Sequence, residues 1–271
     1  MSIDLEAVAT RWAERRADVH ALVLVGSRAR DEQPADAWSD HDFVVVVDHD
    51  VPFLATDNWI AELGPPLLSF VERAAAGGLR ERRVLFAHGA DADFTLLPVA
   101  QLDAVLARRD VSGVFARGVR VLVDKGVLAE LPTEAVATPV DYPALVHEFW
   151  YRAILTARKL RRGELHVGAD GCNCALRRLL RRALELEARA AGRDAWHQGR
   201  FFERWAEPAW RARMSRTIAS EDASEAARAI YVACDLFSDV CAGLRERHGF
   251  EVAIELPAVR RQLDAVLAPL I

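Results

Sequence analysis

Apolar Leu5, Val8, Ala9 and Trp12 recur at helical spacing, and the compact run Ala21-Leu-Val-Leu-Val25 follows them, too short to be a helix. A helix leading into a buried strand is predicted. Four more strands are expected at Phe43–Val47, Val84–Ala87, Phe94–Leu97 and Val119–Val123, between Pro- and Gly-bearing turns. Helical stretches are expected around Asp57–Leu63 and Gln101–Arg108. Beyond Val123 the strand pattern stops. Leu131-Pro-Thr-Glu-Ala-Val-Ala-Thr-Pro139 reads as a connector, and six segments with an apolar stripe and a charged face follow it: Pro143–Arg162, Gly171–Ala191, Trp196–Ala206, Pro208–Ile218, Ser224–Glu246 and Leu256–Leu267. The pattern predicts an α/β sheet domain over residues 1–139 and an all-α helical bundle over 140–271, with no internal repeat.

At 271 residues the chain is long enough for two cores, and 52% hydrophobic with 28% charged residues excludes disordered and low-complexity classes. A net charge of -5 offers no field for nucleic acid or an anionic membrane. That charge is uneven, -8 up to residue 140 and +3 beyond it. The start carries Asp4 and Glu6 with no apolar leader core, and no apolar run reaches the roughly 18 residues of a span, so a cytoplasmic protein is expected. Cys172, Cys174, Cys234 and Cys241 lack zinc or redox spacing and read as reduced thiols in helices.

Gly26-Ser27 directly follows a buried strand, where a glycine lets backbone approach a ligand and the next amides and hydroxyl can donate to phosphate. Ser39-Asp40-His41-Asp42 opens the next strand, so Asp40 and Asp42 share a face. Acidic residues are common at strand ends, but two carboxylates on one face repel unless a cation sits between them, and oxygen donors without cysteine suit Mg2+. Asp93 opens a later apolar strand; beside the Asp40 strand it would complete a three-carboxylate set able to hold two metals about 3.5 to 4 Å apart for phosphoryl or nucleotidyl transfer.

Gly26-Ser27 followed by Ser39-Asp40-x-Asp42 resembles the signature of the polymerase β-like nucleotidyltransferase superfamily. Within it, Gly26-Ser-Arg28, Asp57-Asn-Trp-Ile60, Asp93-Phe-Thr-Leu-Leu-Pro98, Val121-Leu-Val-Asp-Lys125 and Glu148-Phe-Trp150 look like the aminoglycoside 6-adenylyltransferases, also called streptomycin adenylyltransferases, over nearly the whole chain. The resemblance implies an α/β (α+β) nucleotidyltransferase domain with a mixed sheet, followed by a helical substrate-binding domain. It implies Mg-dependent transfer of AMP from ATP to a hydroxyl of a streptomycin-like aminoglycoside, with release of pyrophosphate. Gly26 and Ser27 would hold the nucleotide phosphates and Asp40 and Asp42 would bind Mg2+. Asp93 would be a ligand of a second metal, the base for the acceptor hydroxyl, or both. His41 and the Arg-rich, Cys-bearing stretch Cys172–Arg182 depart from the family pattern.

For the leaving group, Ser27, Arg28, Arg30, Arg158 and Lys159 are candidates, although basic runs on helices are usually solvated faces. A cationic acceptor calls for carboxylates, for which Glu148 and Asp170 qualify, with Trp150 and Tyr151 as stacking surfaces; helix starts also favour acids, and core positions favour aromatics. The expected partners are ATP and a small aminoglycoside-like acceptor, without nucleic acid or membrane, in a monomer or weak dimer. A lincosamide, another hydroxylated metabolite or a partner protein modified in the manner of an antitoxin-type enzyme is the alternative acceptor.

Overall fold

The computed structural model describes residues 4–134 and 140–271. The chain divides into two compact units, Met1–Thr138 and Pro139–Ile271. The expected boundary after Pro139 lies on residues 135–139, outside the described residues.

The first unit runs α1 (Leu5–Arg15), β1 (Val19–Val25), β2 (His41–Val47), α2 (Val51–Ala55), β3 (Pro66–Arg73), β4 (Arg80–Phe86), β5 (Asp91–Pro98), α3 (Leu102–Leu106), α4 (Arg109–Phe115) and β6 (Arg120–Asp124). Its six strands form one mixed sheet in the order β3-β4-β5-β2-β1-β6, as the fold class expected from the resemblance requires. Only β2 and β5 run parallel; the other neighbours are antiparallel. The side-chain alternation of the strands gives each face its own core. On one face Leu22, Leu24, Phe43, Val45, Phe94 and Leu96 pack with Trp12 of α1 and with Phe53 and Trp59. Phe43 stacks on Phe94 with ring centroids 5.2 Å apart, a contact worth about 0.5–1.5 kcal/mol beyond its buried area. On the other face Val23, Val25, Val44, Val46 and Leu97 pack with Leu102, Val105, Val111 and Phe115 of α3 and α4. Asp42, two residues before Val44, continues this second row.

Strand β3 and helices α2 and α4 are not among the expected elements. Leu67, Leu68, Phe70 and Val71 of β3 are all exposed, so this edge strand has no buried face to impose an alternating pattern.

The second unit contains α5 (Tyr142–Arg161), α6 (Leu165–Asp170), α7 (Arg177–Ala190), α8 (Phe202–Trp205), α9 (Pro208–Ser215), α10 (Ala223–His248) and α11 (Leu256–Leu267). Asp141 caps α5 by accepting from the Ala144 amide at 2.9 Å, and Pro143 sits in the first turn where no amide partner is needed. Phe149 of α5 stacks flat on Phe237 of α10 at 3.7 Å. A single helix is expected from Gly171, yet the helical path already begins at Leu165 and passes through a π-helical segment, Gly171–Leu176. Glu187, 2% exposed, pairs with Arg193 at 2.5 Å and Arg247 at 3.2 Å, fastening α7 to the segment after it and to the end of α10. The four cysteines are free; Cys172 and Cys234 are buried, whereas Cys174 is exposed. Among the described residues no helix is long and apolar enough to cross a membrane.

Candidate active site

Strand β1 lies antiparallel to β2 with Val25 opposite Asp42, so the chain leaves β1 beside that carboxylate. Gly26 makes the exit with φ +72°, and a Cβ there would stand 1.9 Å from Asp42 Oδ2. Both the backbone conformation and the space therefore require glycine. A short 3-10 turn, Gly26–Arg28, follows. Ser27 is 5% exposed, and its buried hydroxyl has no hydrogen-bond partner. Buried polar groups are ordinarily satisfied, so an orphaned hydroxyl at the end of a strand is a donor waiting for a ligand. Arg28 turns the other way: its Nε donates to the Asp40 carbonyl at 2.9 Å and its Nη2 to that of Ser39 at 2.8 Å. The guanidinium expected at the nucleotide thus fixes the backbone that enters β2.

The parallel register sets Asp42 directly opposite Asp93, and carboxylate oxygens of Asp40, Asp42 and Asp93 all lie within 4.8 Å of one another. The three acids expected to meet do meet. His41, between two of them in sequence, points to the opposite face, stacks on Phe43 and contacts the Asp91 carbonyl through Nδ1 at 3.3 Å. Burial, with the nearby Arg28 charge, pushes its pKa down, so it stays neutral and outside the acidic cluster.

Arg83 of β4 is the residue that motif reasoning missed. The antiparallel β4–β5 register puts it opposite Asp93, and its Nη2 reaches Asp93 Oδ2 at 2.5 Å. Its Nε lies 2.7 Å from Glu72 and 3.5 Å from Glu81, on the same sheet face. One Asp93 oxygen is thereby engaged, while the buried Oδ1 has no hydrogen-bond partner. Burial is the largest influence on Asp93; Arg83 opposes it, Glu81, Asp42 and Asp40 add to it, and the carboxyl is pushed up to about 7. Nothing in the sequence around Arg83 marks it, since its relevance comes only from strand pairing.

Three hard oxygen donors, mutual repulsion and an unpartnered buried oxygen fit a Mg2+ site, with no sulfur or imidazole among the donors. The cluster can hold a divalent cation beside a backbone turn suited to phosphate, and without the cation Asp93 can accept a proton near neutral pH.

In the helical unit, Arg158 is exposed on α5. Glu148 is engaged by Arg178 at 3.4 Å and Arg152 at 3.8 Å. Asp170 is exposed and accepts from the Cys174 thiol at 3.1 Å. Trp150 is 3% exposed in the helical core, with the Arg260 guanidinium 5.3 Å from its ring centre, and presents no open face for a sugar; Tyr151 beside it is exposed.

A family model described as streptomycin adenylyltransferase matches residues 4–261. Among solved structures, the chain is similar to an aminoglycoside 6-adenyltransferase from Bacillus subtilis, at 15% identity and a TM-score of 0.46, covering 98% of this chain and 99% of that one. No curated protein matches the chain.

Proposed function

Because the chain belongs to the streptomycin adenylyltransferase family and is a nucleotidyltransferase, we propose that it transfers AMP from ATP to a hydroxyl of a streptomycin-like aminoglycoside and releases pyrophosphate. The observation that carries the proposal is the meeting of Asp40, Asp42 and Asp93, with oxygens within 4.8 Å, beside the turn at Gly26 and Ser27.

In this reading Asp40, Asp42 and Asp93 hold Mg2+, which would supply neutralisation of the triphosphate charge. Ser27 Oγ and the amides after Gly26 donate to phosphate oxygens, ending the isolation of that buried hydroxyl. Arg83 keeps Asp93 Oδ2 occupied and so leaves Oδ1 for Mg2+; the same oxygen would take the proton of the attacking hydroxyl only as it leaves the metal. Arg28 acts through the backbone by holding the Ser39 and Asp40 carbonyls. Among the helical-unit residues, Arg158 is assigned to the nucleotide, and Glu148 and Asp170 to ammonium groups of the acceptor.

A coupled pyrophosphate assay with ATP, Mg2+ and a panel of aminoglycosides and lincosamides tests the proposal, with mass spectrometry of the acceptor. Release that depends on streptomycin, with one AMP added to it and with loss of turnover in Asp40→Ala, is expected. Release only with a lincosamide would replace the acceptor, and release surviving both Asp40→Ala and Asp93→Ala would overturn the mechanism.

A further inference from the structure

Trp38 is 94% exposed, the most exposed large hydrophobic side chain among the described residues. It lies in the segment between Ser27 and Asp40, both of which belong to the active site. An indole left in water sacrifices a large burial gain, and a lone aromatic held out beside a reaction centre is what a ligand platform needs.

The segment around it is firmly held. The Ala35 amide donates to the Ser27 carbonyl at 2.9 Å, and Arg30 Nε donates to the Gln33 carbonyl at 2.8 Å. The Trp38 amide donates to Asp36 Oδ1 at 2.9 Å, and the Ser39 hydroxyl donates to the same oxygen at 3.0 Å. Arg28 clamps the next two carbonyls. The ring is therefore presented from a fixed backbone, and two residues span at most about 7 Å, so its Cα stands within that distance of the Asp40 Cα.

Charge decides which ligand the ring suits. Arg28 is spent on backbone carbonyls and Arg30 is 9% exposed, whereas Asp31, Glu32 and Asp36 are all exposed. With both arginines counted, Ser27–Asp40 still carries four acids, Asp31, Glu32, Asp36 and Asp40, against Arg28 and Arg30, a net -2 that repels a triphosphate and attracts a cation. An exposed indole whose own amide is held by the Asp36 carboxylate, on an acidic segment, is a setting in which a guanidinium or ammonium group gains a cation–π contact.

We infer that the Trp38 indole is the platform on which a guanidinium or ammonium group of the acceptor stacks, with Asp31, Glu32 and Asp36 supplying the surrounding negative field. This deepens the proposed function and rests on its aminoglycoside acceptor. The platform sets acceptor affinity rather than chemistry, so its loss acts on acceptor KM and leaves ATP KM in place.

The test is steady-state pyrophosphate release by full-length wild type, Trp38→Ala and Trp38→Phe, with streptomycin and ATP varied separately, alongside calorimetric titration of streptomycin into each. The expected result is an acceptor KM and Kd raised about tenfold in Trp38→Ala, within about threefold of wild type in Trp38→Phe, and ATP KM unchanged. Because the side chain is in water, melting temperature stays at the wild-type value, which removes misfolding as an explanation. An unchanged acceptor KM in Trp38→Ala, or a rise confined to ATP KM, would overturn the platform while leaving the proposed function standing. A wild type that neither binds nor modifies streptomycin would remove the acceptor class, and the platform with it.

Discussion

Replacing Gly26 with alanine probes the site through a residue that has no side chain to contribute. The new Cβ would lie 1.9 Å from Asp42 Oδ2 and 2.8 Å from its Cγ, where ordinary contact begins at 3.4 Å. The Asp42 carboxylate must therefore retreat by about 1.5 Å, and misplacing a reacting group by 1 Å already costs about 10²-fold. Alanine at φ +72° adds about 1–2 kcal/mol of backbone strain. Gly26→Ala should lower kcat/KM for pyrophosphate release by about 10²-fold or more, raise the Mg2+ concentration needed for half-maximal rate, and lower the melting temperature by about 3–8 °C. The steric part of that destabilisation belongs to a pair. Asp42→Ala in the Gly26→Ala background should restore part of the lost stability without restoring turnover, a non-additivity expected only for groups in contact. A Gly26→Ala enzyme within about threefold of wild-type kcat/KM, with the same Mg2+ dependence, would refute the proposed role of Asp42 as a metal ligand held against this turn.

The raised Asp93 pKa has a stability signature in the metal-free chain. With its carboxyl pushed up to about 7 against an ordinary value of 3.8, the folded state holds the extra proton in the window between those values. Stability from this group is therefore present at low pH and lost as pH rises through about 7. Asp93→Asn should melt higher than wild type at pH 8 in chelator, and Mg2+ should raise the melting temperature of wild type but not of Asp93→Asn; equal melting of the two in chelator would count against the burial of that charge. Ser27→Ala removes a buried hydroxyl that has no partner, so thermal stability should hold or rise slightly while ATP KM rises about five- to tenfold in the pyrophosphate assay. Glu187→Ala strips two arginines of a buried carboxylate; because Arg193 and Arg247 are themselves partly exposed, the loss should be about 1–2 kcal/mol, read as a lowered melting temperature with near-normal KM values.

The two halves of the fold were legible for a simple reason: a buried strand such as Val19–Val25 and a helix such as Tyr142–Arg161 must each bury an apolar face, and burial writes its period into the sequence. Where burial stops, so does the signal. Strand β3 is exposed on both faces and has no period to read, although it completes the sheet edge next to Arg83. At the site, Gly26, Ser27, Asp40, Asp42 and Asp93 announce themselves because each residue type is dictated by local chemistry. Arg83 does not, because an arginine acquires its meaning from the strand paired with it. Trp150 illustrates the reverse case: Val146, Phe149, Trp150 and Ala153 are all buried at helical spacing, so the stripe that predicts α5 also commits this indole to the core.

The lone parallel pairing in the sheet bears on how the protein is made. Asp42 and Asp93 sit at matching ends of β2 and β5, but the chain between them must first lay down α2 and the β3–β4 pair. Closing a loop of roughly fifty residues has an entropic cost that local helices never meet, and parallel pairing is among the slower events of folding. The carboxylates come into range of one another only once β5 has docked beside β2. If the cluster takes a cation as proposed, its binding during refolding reports that the central strands have registered, and a nascent chain cannot assemble the acidic cluster before β5 has left the ribosome.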